Sequence, residues 1–108
     1  MLVNLTPHAI NIFDSNKEEI STISPSGDVA RVSIKKREVS SIDGIPCFVS
    51  EVGEVVGLPE EKQDTKYLVS LMVFNATSRK DVVSPGELIR NEKGQPIGCL
   101  GLNVKTSV

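Results

Sequence analysis

The chain contains no tryptophan, and aromatic residues make up only 4% of its 108 residues. Its core therefore has to be aliphatic, and a stacking platform for nucleic-acid bases has little to be built from. There is a single histidine, and only two cysteines. Nor is there an excess of charge, because 12 basic and 14 acidic residues leave a net charge of −2. Binding to bulk nucleic acid by counterion release needs a basic face, which this balance does not supply. Lys35-Lys36-Arg37 is the one basic run and reads as a solvated loop or strand end. No stretch approaches the roughly 18 apolar residues of a membrane-spanning helix, so no membrane partner is expected. The opening segment MLVNLTPHAINIF has no basic residue ahead of its apolar part and is interrupted by Pro7, which makes a poor secretion signal.

What is present fits one modest globular domain over 1–108. Hydrophobic residues reach 39%, too many for a disordered chain. Cys47 and Cys99 lie in apolar segments and read as small core residues of a protein kept in a reducing compartment. Turn signals recur at short intervals without any internal repeat, the mark of many short strands. Strands are expected at Leu2–Leu5, Ala9–Phe13, Glu19–Ile23 and Val29–Ile34. In the last, Ala30, Val32 and Ile34 share the core face and Arg31 projects from the other. Val39–Ile42 and Ile45–Val52 flank Asp43-Gly44, a pair suited to a two-residue type I′ turn, with Ile45, Cys47 and Val49 expected inward. Tyr67–Val69 reads as a strand, and the apolar set Val69, Met72, Val73 and Ala76 follows helical spacing, widened by Leu71 and Phe74 into a mostly buried helix. Leu88–Arg90 and Gln95–Leu102 close the domain as a hairpin, ahead of a loose tail from Asn103 to Val108. The fold class expected is mainly β, a compact barrel or sandwich of roughly seven to nine short strands with one short helix.

The stretch Tyr67–Gly86 concentrates the candidate chemistry. Ser70 sits where a strand feeds a helix, so its hydroxyl would cap the next amides, or those amides would hold a phosphate or carboxylate. Val73 stands where a capping box wants Glu or Gln. Arg79 carries the planar fork that suits a phosphate, and Asp81 would orient it or accept a ribose hydroxyl; the alternative is a structural ion pair. Arg31 and Arg90 would reach the same site from neighbouring strands, or remain solvated. His8, in a bend after Thr6-Pro7, would contact ligand or serve as structure. No phosphate-binding glycine loop is present, and neither Cys-His catalysis nor a zinc site has its usual close spacing. No cofactor is implied.

Several segments taken together, VNLTPHAI at 3–10, SGDVARVS at 26–33, DGIPCFVSEVGEVVGLPE at 43–60, YLVS at 67–70 and SRKDVVSPGELIRNEKGQPIGCLG at 78–101, cover most of the chain. They resemble a family of small bacteriophage and prophage proteins that begin with an LTPH element. The resemblance implies a mobile-element setting in the host bacterial cytoplasm and no particular reaction. In that setting the expected function is binding of a phosphorylated small molecule or nucleotide. The protein would act as a homo-oligomer, an anti-defence device that sequesters a nucleotide-derived host immune signal. His8, Arg31, Ser70, Arg79, Asp81 and Arg90 would form the ligand-binding set. The alternative is a virion component or host-enzyme inhibitor, which would show a large exposed apolar patch. A small hydrolase would require His8 beside Asp81 or Glu54.

Overall fold

In the computed structural model, which describes residues 1–105, eight strands and one helix follow the order β1 (Leu2–Asn4), β2 (Ile10–Phe13), β3 (Glu19–Ile23), β4 (Arg31–Ile42), β5 (Ile45–Val56), β6 (Lys66–Leu68), α1 (Leu71–Ala76), β7 (Val82–Arg90) and β8 (Pro96–Val104). The expected mainly β architecture is what forms. Six strands make a nearly closed, barrel-shaped sheet in the order β1-β6-β7-β8-β2-β3, and β4 pairs with β5 as a separate two-stranded ribbon.

The short parallel run explains the helix. β6 pairs in parallel with β1 on one side and β7 on the other. Parallel neighbours require a crossover, and α1 supplies it between β6 and β7. Strands in parallel stretches are covered on both faces by the elements packed above and below them, so they read as continuous apolar runs rather than alternations. Tyr67, Leu68 and Val69 are accordingly all buried. They join Leu5, Ala30, Val73, Val82 and Val83 in the core. Each fully buried Val or Leu contributes about 1.5–3 kcal/mol.

The barrel is fastened at one end by Asn4, itself 2% exposed. Its Nδ2 donates to the His8 carbonyl at 2.8 Å and to the Ile23 carbonyl at 3.0 Å. Its Oδ1 accepts from the Thr6 amide at 2.9 Å and the Thr6 hydroxyl at 2.7 Å. Since Ile23 ends β3 and Asn4 ends β1, one side chain links the two free edges of the sheet. The Asn-Leu-Thr-Pro-His segment is thus a closure device.

Four expectations need correction. Val29–Ile34 and Val39–Ile42 are not separate strands: β4 runs through the polar stretch between them, and β4 and β5 reach 12 residues each. Two register shifts, between Val32 and Ile34 and between Glu38 and Ser40, absorb the irregular pattern. Gly53 belongs to the first, where a Cβ would lie 2.2 Å from Ser33 Oγ. The Asp43-Gly44 turn does form, with φ of 50° and 81°. Ile45 and Val49, expected inward, are exposed, and only Cys47 is half-buried, because an isolated ribbon has no inside. The helix is also shorter than its apolar stripe. Val69 stays extended, its amide bonded to the Val83 carbonyl at 2.9 Å, so α1 buries Val73 and Phe74 and leaves Leu71 and Met72 outward. Of the expected loose tail, Asn103 and Val104 belong to β8, and 106–108 lie outside the described residues.

Candidate functional site

Ser70 is the N-cap of α1: its Oγ accepts from the Val73 amide at 3.3 Å. With six residues, α1 is too short to aim a useful dipole at an anion. Lys105 closes its other end, with Nζ 2.5 Å from the Phe74 carbonyl and 4.1 Å from the ring centroid of Phe74.

Arg79 is engaged inside the fold. Its Nε and Nη2 donate to the two Asp81 carboxylate oxygens at 2.9 and 2.5 Å, and Nη1 donates to the Pro59 carbonyl at 2.6 Å. The guanidinium lies 5.9 Å from the Tyr67 ring centroid, and Glu61 adds a longer contact of 3.8 Å. The bond to Asp81 holds the Arg79 guanidinium above its ordinary range, against the opposing effect of burial. All of this ties the loop after α1 to the segment before β6. Asp81 also passes its backbone carbonyl to the Tyr67 amide at 2.8 Å.

Arg90 stands at the other end of β7, where Nη1 donates to the Gly94 carbonyl at 2.8 Å across the β7–β8 turn. The nine residues of β7 separate it from Asp81 by roughly 30 Å along the strand. His8 is exposed, with its carbonyl held by Asn4 and by the Thr6 hydroxyl at 3.0 Å. Its side chain lines a groove of ≈ 450 Å³ between β2, β7 and β8. Arg31 lies at the base of the β4–β5 ribbon. The six candidates therefore fall in separate places: only Ser70, Arg79 and Asp81 belong to one connection, and there they bond to the protein itself. His8 and Glu54 line different depressions, which leaves the hydrolase reading without its pair.

Arg31 has a second cation beside it at the ribbon base. Arg31 and Lys35 both line a depression of ≈ 580 Å³ at the ribbon base, with Ser33, Gly53, Glu54 and Val56. Residues 31, 33 and 35 point to one side of β4, and the extra residue of the neighbouring register shift lies in β5. Neither Arg31 nor Lys35 enters a salt bridge among the described residues. The alternation of Arg31, Ser33 and Lys35 carries this in the sequence, and a strand that ends at Ile34 leaves Lys35 out. Two unpaired cations, a hydroxyl and a carboxylate around an open depression can take a phosphate on the cations and a hydroxyl on Glu54.

Other chemistry is thin. Burial pushes the Cys99 thiol up, partly offset by a hydrogen bond from the Gly86 backbone. Among the described residues no group of three His, Cys, Asp or Glu side chains could hold a metal, and no helix is long and apolar enough to cross a membrane. No protein family, curated protein or solved structure matches this chain at significant similarity.

Proposed function

We propose that the chain is a phage-type binding protein for a phosphorylated, nucleotide-derived small molecule, acting as a homo-oligomer in the host bacterial cytoplasm to sequester a host immune signal. The observation that carries the ligand class is the pair of unpaired cations, Arg31 and Lys35, on one side of the ribbon base. The depression they line falls within the roughly 300–1,000 Å³ of small-molecule sites, yet it is open to solvent on the single chain. A second copy laid across it would give the depth that one small domain lacks. The biological setting rests on the resemblance to LTPH-type phage proteins, and Arg79, Asp81, Ser70 and Arg90 become framework rather than ligand contacts in this reading.

Calorimetry against cyclic dinucleotides and ADP-ribose derivatives tests it. Arg31→Ala and Lys35→Ala should each weaken binding by about tenfold or more, the worth of a charge-assisted hydrogen bond. Silence across the panel from a folded sample would remove the reading. A second reading, a virion component or host-enzyme inhibitor, is favoured by the ribbon's bare apolar side chains, among them Phe48 and Val52 at 57% and 62% exposure. It expects partner capture to fail when Phe48 is made polar and to survive loss of Arg31 and Lys35.

A further inference from the structure

The β4–β5 ribbon is an arm rooted in the core through Val32 and Val55. A register shift at this root decides what its opposite face presents. Val32 and Ile34, two apart on β4, share one face, and their partners Val55 and Val52 share it with them. Gly53 and Glu54 are left opposite Ser33 alone, and the bulge turns both to the face of Ser33. A Cβ on Gly53 would lie 2.2 Å from Ser33 Oγ, so only glycine admits the hydroxyl there. Glu54 thus stands beside Ser33, midway between Arg31 and Lys35, which are roughly 13 Å apart along β4.

The order along this face is a cation, then a hydroxyl with a carboxylate, then a second cation. Neither cation pairs with Glu54 or with another carboxylate among the described residues. Glu51, across from Lys35, is drawn instead to Arg37 at 3.1 Å. We infer that this face reads a ribose that carries phosphates on its 3′ and 5′ oxygens and keeps its 2′-hydroxyl free, as in a cyclic 3′,5′-dinucleotide. The inference rests on the small-molecule reading proposed above and names which of its ligand classes fits.

Such a ligand sets two anions on either side of a neutral hydroxyl. Its phosphates meet Arg31 and Lys35, and the 2′-hydroxyl donates to the Glu54 carboxylate between them. In ADP-ribose, by contrast, the two phosphoryl groups share an oxygen. A diphosphate drawn between both cations lies against Glu54, and one held by a single cation leaves the other unused. The central carboxylate therefore selects against the diphosphate while the outer cations select for the spaced pair. No aromatic side chain lines the depression, so a base adds little and the sugar and phosphates carry the selection. The same ribose unit recurs along RNA. With Arg37 tied to Glu51, however, further phosphates of a longer strand gain no further cation on this face.

Calorimetry of the full chain with cyclic di-adenylate, its 2′-deoxy analogue and ADP-ribose tests this. Cyclic di-adenylate should bind about tenfold tighter than either of the others, the worth of a hydrogen bond to a charged group. Glu54→Ala should bring the ribose and deoxyribose forms to near equality and strengthen ADP-ribose, whereas loss of a merely structural residue would weaken all three alike. Glu54→Gln keeps an acceptor without the charge, so it should strengthen ADP-ribose and retain part of the preference for the 2′-hydroxyl. Glu54 is exposed, and circular dichroism checks that both variants fold. Equal binding of the ribose and deoxyribose forms by the parent chain, tighter binding of ADP-ribose, or a uniform loss in Glu54→Ala overturns the inference and leaves the phosphate-binding reading standing. Silence with all three ligands removes that reading and the inference with it. An oligoadenylate strand that outcompetes cyclic di-adenylate overturns the assignment to a small ligand.

Discussion

At the residue scale, Asn4 and Arg79 both hold the fold together, and of the two only Arg79 reads as ligand chemistry in the sequence. Asn4 spends its amide entirely on the protein, bonding Thr6, His8 and Ile23. Asn4→Ala should therefore cost about 3 kcal/mol in urea unfolding, because buried partners lose their bonds without gaining water. Ser70→Ala should cost about 0.5–1 kcal/mol, the low end for an N-cap, since its contact is long and α1 is short. Arg79→Ala strips a bidentate partner from Asp81, whose side chain is only 12% exposed, and should cost about 2–3 kcal/mol. Arg79→Lys keeps the charge without the fork and should restore only part of that. If Arg79→Ala left stability unchanged, the framework role given to it here would be wrong. The thiols differ as well. Cys99 is buried with its thiol pushed up, so the neutral form persists to higher pH and alkylation should reach half-buried Cys47 first, as read by peptide mapping.

Elements divide into those the sequence announces and those it does not. Asp43-Gly44 specifies its turn because both residues take positive φ. Tyr67 to Ser70 announces a strand entering a helix, because an unbroken apolar run meets a capping hydroxyl. The arm stayed hidden for a physical reason: alternation records an inside and an outside, and β4 and β5 outside their base have only an outside. Lys35, Lys36 and Arg37 read as a solvated loop or strand end on that account, although they pair along β5. A strand that ends at Ile34 also leaves Lys35 out as the neighbour of Arg31. If the arm is an independent element, joining Ile34 to Val52 through a two-residue Asn-Gly turn should leave the barrel folded. Far-UV circular dichroism and a melting temperature within a few degrees of the parent would show this. Collapse of the barrel would mean that the arm carries part of its stability.

For the whole molecule, a barrel fastened by one asparagine carries the apolar β4–β5 ribbon, with two cations at its root that enter no salt bridge among the described residues. Which arginines would meet was not legible, because convergence depends on which strands become neighbours. Arg79 lies in the loop before β7 and Arg90 at the far end of that strand, and Arg31 lies on a different sheet. The central claim joins two properties, assembly with other copies and retention of a phosphorylated ligand. Native mass spectrometry reads both in one spectrum. For the chain incubated with ADP-ribose derivatives and cyclic dinucleotides, the expected result is a multiple of the single-chain mass carrying one of those ligands. Arg31→Ala should remove the ligand and leave the assembly. A bare single-chain mass across the whole panel would contradict the account.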